Sequence, residues 1–258
     1  VIIKTSQQLA QYQQAAKIST EILEQLRLAI KAGVTALEVD ALADRLCKQY
    51  KVSPNFKGVG PKKNKYQHAT CISVNDTVVH GIPDDRIFKK GDLVKVDFGI
   101  EYQGLNTDHC FTVGVEQLSP ADEKLVRVAK KAVQKACKKA IVANTTGDLG
   151  YTMQTVAETA GFSVVREFIG HGIGHSLHED PQIPAYGSPR SGTRLIEGQV
   201  ICVEAQIVAG DRRIRIEKDA WTVKTADGSK AAMFEYMLVV GKKKPIYLTK
   251  TLDWPIIN

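Results

Sequence analysis

Residues 93–114 read LVKVDFGIEYQGLNTDHCFTVG. β-Branched and aromatic residues flank a turn-like Tyr102-Gln103-Gly104, a pattern that predicts a β-hairpin. A fold-back centred between Tyr102 and Gln103 sets Asp97 opposite Asp108. Cross-strand partners on one face have Cβ atoms roughly 4.5–5.5 Å apart, so two carboxylates placed this way repel unless a cation neutralises them. Two solvated aspartates, or a bulge that slips the register by one and separates the faces, are the alternatives at this point. His109 should point to the face opposite Asp108, which leaves it outside any such site.

Two later stretches carry the same signal. QVICVEAQIV and AAMFEYMLVV are near-continuous apolar runs, each holding a single carboxylate, Glu204 and Glu235. A lone Glu at the centre of an apolar strand needs a partner or a raised pKa. Two such strands suggest one shared cation, the alternative being an Arg or Lys partner. Between them and the hairpin lies FIGHGIGHSLHEDPQIP, with His171, His175 and His178 among Gly170, Gly172 and Gly174. The glycines argue against a helix and for a loop that presents imidazoles without crowding. Four carboxylates and one imidazole make an oxygen-rich set suited to Mn, Fe, Co or Zn, and bridging carboxylates suit a two-metal centre.

Around these strands the chain repeats itself. Residues 6–32 are expected to form an amphipathic helix ending at Gly33, followed by a capping box, Thr35 with Glu38, that opens a second. Ser119-Pro120 opens another long helix, and Thr145 with Asp148 repeats the cap before a helix ending near Gly161. Each pair precedes strand-rich sequence, so a shared site would sit between two helix-helix-strand halves. No linker or composition break divides the 258 residues, which are expected to form one catalytic domain, 1–258, with halves of about 5–115 and 116–250. No apolar run approaches the length of a membrane span, and the N-terminus lacks a signal-peptide pattern, so the cytosol is the expected compartment. Five scattered cysteines without CxxC spacing suit reduced thiols rather than a disulfide framework. The formal charge of +7 would suit a polyanionic partner, but much of the excess lies in 124–139, where helical spacing reads as a solvated face.

VDFG with TDHCFTVG, GHGIGHSLHEDP, VICVEAQIV and MFEYMLVV, together with the upstream CISVNDTVVHGIP, resemble the segments of type I methionine aminopeptidases, in the expected order over nearly the whole chain. The resemblance implies an α/β (α+β) pita-bread fold, two pseudo-symmetric halves around a central antiparallel sheet. The interval from Glu204 to Glu235 has no room for the long insertion of the type II enzymes. With no zinc-finger extension, the chain looks like the short bacterial or organellar form. By resemblance two divalent ions are held by Asp97, Asp108, His171, Glu204 and Glu235, with Asp108 and Glu235 bridging. The implied reaction is hydrolysis after the N-terminal methionine of nascent polypeptides with a small second residue. Glu204 would help move the proton of the attacking water, His178 would stabilise the oxyanion, and His80 would contact the scissile amide or leaving residue.

The chain also departs from that family. The stretch FKGVGPKKNKYQHATC before Cys71 is lengthened and carries Lys62, Lys63 and Lys65. By resemblance the methionine pocket falls to Cys71, Leu177 and Trp221, with Tyr66 supplying a ring. Leu177 stands where an aromatic is usual, which implies a roomier pocket; plain core packing is the alternative for Cys71 and Trp221. The lysines could meet ribosomal RNA or simply be solvated. No DNA or membrane partner is expected, and the chain is expected to be a monomer. A prolidase-like enzyme and an inert binding protein of the same fold are the rival readings, disfavoured by HGIP and by the complete ligand set respectively.

Overall fold

The computed structural model describes residues 1–258. Four helices alternate with the strands in two sets: α1 (Ser6–Ala29) and α2 (Ala36–Tyr50), then α3 (Pro120–Cys137) and α4 (Thr146–Thr159). Each opens on a side-chain cap. Thr35 and Glu38 exchange bonds at α2, Thr145 and Asp148 do so at α4, and Ser119 caps α3 with Pro120 in its first turn. The α1 cap is Thr5 with Gln8, a further capping box. α1 stops three residues short of the expected 32. Ile30 is already extended, and the Asn258 side-chain amide donates to the Arg27 and Ile30 carbonyls that a longer helix would have used.

The main strands are β1 (Thr70–Val74), β2 (Leu93–Phe98), β3 (His109–Gly114), β4 (Gly170–Gly172), β5 (Glu179–Ile183), β6 (Val200–Val208) and β7 (Ala231–Val239). They lie in the order β5-β4-β6-β7-β3-β2-β1, and every pairing is antiparallel. Two short strands complete a nine-stranded sheet: Ser163–Val164 on β6 and Ile246–Tyr247 on β7. The strands following each helix pair are contiguous, β1–β3 on one side and β4–β7 on the other. The seam between the halves runs between β3 and β7, where Cys110 pairs with Glu235.

Alternation along the strands gives the sheet two different faces. Val94, Val96, Phe98, Phe111, Val113, Ile201, Val203, Phe234 and Tyr236 lie in a core with residues of all four helices. The other face carries Lys95, Asp97, Cys110, Cys202, Glu204, Gln206, Met233 and Glu235. Helices cover one side of the sheet, and Asp97, Glu204, Gln206, Met233 and Glu235 of the other side line a cavity.

The hairpin register differs from the sequence expectation. Gln103 (φ 53°) and Gly104 (φ 78°) are both left-handed, as a two-residue type I′ turn requires, so the fold-back is centred one position later. Asp97 therefore pairs with Cys110, not Asp108. Because the partner moves by two residues, Asp108 keeps the face of Asp97 and becomes its diagonal neighbour.

Candidate metal centre

One row of paired residues crosses the sheet: Cys71, Asp97, Cys110, Glu235, Glu204, from β1 through β2, β3 and β7 to β6. Directly paired residues share a face, so three carboxylates of the row project together. Asp108 joins them two residues before Cys110. His171 on β4 pairs with Cys202, two residues before Glu204, and so reaches the same face. Ligand atoms of Asp97, Asp108 and Glu235 lie within 4.8 Å of one another, as do those of Asp108, His171 and His178 and those of His171, Cys202 and Glu235. His171 Nε2 is 3.7 Å from Asp108 Oδ2 and 4.0 Å from Glu204 Oε1. Its Nδ1 lies 2.8 Å from the Gly172 carbonyl oxygen, a bond that holds the ring with Nε2 toward the carboxylates.

The electrostatics of this cluster do not close without a cation. Asp108, Glu204 and Glu235 are at most 7% exposed, and Asp97 Oδ1, Asp108 Oδ1 and Glu235 Oε1 are buried without a hydrogen-bond partner. Burial and then the Glu204 charge push Asp97 up to about 8. Burial pushes Glu204 up to about 7, against a bond from the Gln206 amide. Burial and the neighbouring carboxylates raise Asp108 and Glu235 well above the usual range. Burial, then His178, holds His171 down to about 4, so it is a neutral ligand at neutral pH. No Lys or Arg pairs with any of the five. Orphaned carboxylate oxygens around a neutral imidazole fit divalent ions with mixed O/N ligation.

The cavity over this row measures about 340 Å³. Its lining includes an apolar set, Phe56, Val59, Tyr66, Cys71, Leu177 and Trp221. Tyr66 meets Trp221 edge-on, with centroids 5.1 Å apart. His80 packs against Phe168 at 5.1 Å and lies 6.4 Å from the Trp221 ring, with burial and then His178 lowering its pKa to about 4. The rings of His178 and His171 are 4.4 Å apart. All of the sequence-derived candidates thus line one cavity. His175 stands apart, exposed and bonded to the Gly104 carbonyl, and His109 is buried beside Thr249.

Sequence reading missed Gln206 and Cys202. Gln206 Nε2 donates to Glu204 Oε2 at 2.6 Å, and Cys202 Sγ shares a cluster with His171 and Glu235. Both lie two residues from Glu204, so strand alternation alone would have placed them on its face. Gly60, too, lines the pocket; a Cβ there would lie 2.5 Å from the Trp221 ring.

Methionine aminopeptidase 1 of Bacillus subtilis is 38% identical over 240 residues, covering 93% of this chain and 95% of the relative. A methionine aminopeptidase of Salmonella typhimurium is 37% identical over 258 residues, covering 98% and 95%. The crystal structure of a methionine aminopeptidase from Thermotoga maritima superposes with a TM-score of 0.92 at 39% identity, covering 97% of this chain and all of that one. An Xaa-Pro dipeptidase from Bacillus anthracis, 20% identical with a TM-score of 0.77, shares the fold over 64% of its length. The pattern of Metallopeptidase family M24 spans residues 10–240, and the chain belongs to that family.

Proposed function

We propose that this chain is a type I methionine aminopeptidase, removing the N-terminal methionine of nascent polypeptides whose second residue is small. The observation that carries this reading is the contiguity of an apolar pocket with the carboxylate row: Cys71, in the pocket wall, is the cross-strand partner of Asp97. A side chain filling that pocket brings its own carbonyl to the carboxylates, which is the requirement of an exopeptidase that reads one residue. The similarity to named methionine aminopeptidases over more than nine-tenths of the chain supports it.

In this reading Asp97, Asp108, His171, Glu204 and Glu235 would hold two divalent ions, with Asp108 and Glu235 serving both, Asp97 one, and His171 with Glu204 the other. Mn, Fe, Co and Zn all suit the donors. When bound, the ions supply Lewis-acid polarisation and a water nucleophile at neutral pH. Glu204 takes the water proton and returns it to the leaving amine. His178 donates to the carbonyl oxygen as charge develops there. His80, fixed between Phe168 and Trp221, positions the scissile amide. The whole chain, 1–258, acts as one catalytic unit, a cytoplasmic monomer; no helix is long and apolar enough to cross a membrane. Lys62, Lys63 and Lys65 are exposed on the segment that also supplies Tyr66, which suits contact with ribosomal RNA near the exit of a nascent chain.

The test is hydrolysis of Met-Ala-Ser against Leu-Ala-Ser and Ala-Pro peptides after chelation and then with each metal restored. Metal-dependent release of Met alone is expected. Xaa-Pro cleavage would move the chain to the prolidase branch of the fold, and equal release of Leu would sink the methionine-specific pocket.

A further inference from the structure

We propose that Asp40 and His68, outside the cavity, are positioning residues for its specificity wall, and that they set Met selectivity through Tyr66. The inference rests on the pocket taking the N-terminal methionine. Tyr66 belongs to the irregular stretch 55–69, between the short strand Ser53–Pro54 and β1, which no ladder holds. It is nonetheless only 3% exposed and packs against Trp221. Its backbone pairs with Val59 at 2.9 Å, and its hydroxyl lies 2.9 Å from the Thr70 carbonyl oxygen and 3.0 Å from that of Gly81, where it donates.

Two of the residues touching Tyr66 end on a single carboxylate. Asp40 Oδ1, on α2, accepts the Thr70 N–H at 2.9 Å and the Thr70 hydroxyl at 2.8 Å. Its Oδ2 lies 2.9 Å from His68 Nδ1, and the His68 ring meets the Tyr66 ring edge-on with centroids 5.8 Å apart. α2 is anchored in the main core through Val39, Ala43 and Leu46. Asp40 therefore transfers the rigidity of the core to an aromatic ring that would otherwise ride on a loop. Two residues before Tyr66, Asn64 Nδ2 donates to the Asp219 carbonyl, while the Asp219 carboxylate takes the Trp221 backbone N–H. The ring pair Tyr66–Trp221 is thus held from both sides by residues that never touch substrate. Neither Asp40 nor His68 lines the cavity or belongs to a cluster that could hold a metal ion.

The Asp40–His68 link should affect substrate binding and selection, not turnover. In His68→Ala, KM for Met-Ala-Ser should rise about tenfold with kcat within about twofold, and the preference for Met over Leu should fall about tenfold. Asp40→Ala should do the same, and Asp40→Asn, which keeps an oxygen for Thr70 and an N–H for the His68 ring, should restore the parent values. Metal stoichiometry should stay unchanged throughout. Acrylamide quenching of Trp221, read in a Trp254→Phe background, should increase in both alanine variants whether or not the protein cleaves peptides. His68 is partly exposed, so its replacement leaves the fold intact even if Asp40→Ala does not. Unchanged quenching and unchanged Met/Leu preference in His68→Ala would overturn the proposal, as would a fall in kcat alone. Absence of Met release by the parent chain would instead defeat the functional reading, and the quenching result would still decide whether the wall depends on Asp40 and His68.

Discussion

Filling the metal centre should expel protons, and the number follows from the burial of its ligands. In the metal-free fold Asp97 titrates near 8 and Glu204 near 7, both raised by burial, while Asp108 and Glu235 are higher than the usual carboxylate range. At pH 6 at least two of these groups hold protons that a cation must displace. His171, held down to about 4, has none to give. Each displaced proton makes binding steeper by ~1.36 kcal/mol per pH unit, so two give ~2.7 kcal/mol, about a hundredfold in affinity per unit. The sign for stability follows from the same shifts. Raised carboxylates bind more protons folded than unfolded, so their contribution is complete below about pH 4, the unfolded value, and is lost as pH rises through 7 and 8. Cations take over in that range, and metal-induced stabilisation should grow with pH. Titration calorimetry with Mn or Zn, in two buffers of different ionisation enthalpy at pH 6, 7 and 8.5, counts the protons directly. We expect two or more at pH 6 and fewer by pH 8.5. An affinity flat between pH 5.5 and 7, with no proton release, would refute the idea that these carboxylates face one another in a dry pocket awaiting a cation.

Four further outcomes test other parts of the molecule. His178→Ala should lower kcat on Met-Ala-Ser by about a hundredfold with metal content unchanged, the size of a lost oxyanion donor; loss of metal would place His178 among the ligands instead. Gly60→Ala would set a Cβ 2.5 Å from the Trp221 ring at a backbone φ of +97°, and should raise KM and lower the melting temperature together. Thr145→Ala removes the α4 capping box and should cost about 1 kcal/mol, about 2–4 °C in Tm for a chain of this size, leaving catalysis unchanged. Lys95 is buried with Nζ donating to the Asn75 and Ala231 carbonyls, and burial lowers its pKa to about 7. A Lys depressed in the fold is protonated only in the unfolded chain above that value. Stability therefore gains from Lys95 as pH rises from 7 toward 10, and Lys95→Met should flatten that rise in thermal melts.

The row of carboxylates was legible in the sequence for a reason that survives its own error. The hairpin centre was misplaced by one position because Tyr102-Gln103-Gly104 contains no Asn-Gly or Asp-Gly to mark a type I′ turn, and Gln103 accepts a left-handed φ that its side chain gives no sign of. Yet moving the centre by one moves the partner by two, and strand alternation has period two, so Asp97 and Asp108 stayed on one face. Glu204 and Glu235 were legible because each is the sole charge in an apolar strand. Nothing local states that they are direct partners across β6 and β7. That pairing belongs to a long-range register, fixed by the helix-covered face of the sheet.

The pocket wall was less legible because it is built by contacts no periodicity encodes. Tyr66 carries no signal beyond its type. Its place is set by Asp40, 26 positions earlier on another element, and by Trp221, 155 positions later. A carboxylate at Asp40 reads in sequence as one more polar position of an amphipathic helix; buried, it is an anchor that would be costly without the Thr70 and His68 donors it meets. The contrast separates two kinds of site residue. Those on strands inherit their direction from the ladder, and alternation recovers them even when the register is wrong. Those on loops inherit it from side-chain bonds to distant elements, and only the assembled chain shows which polar residue does the holding.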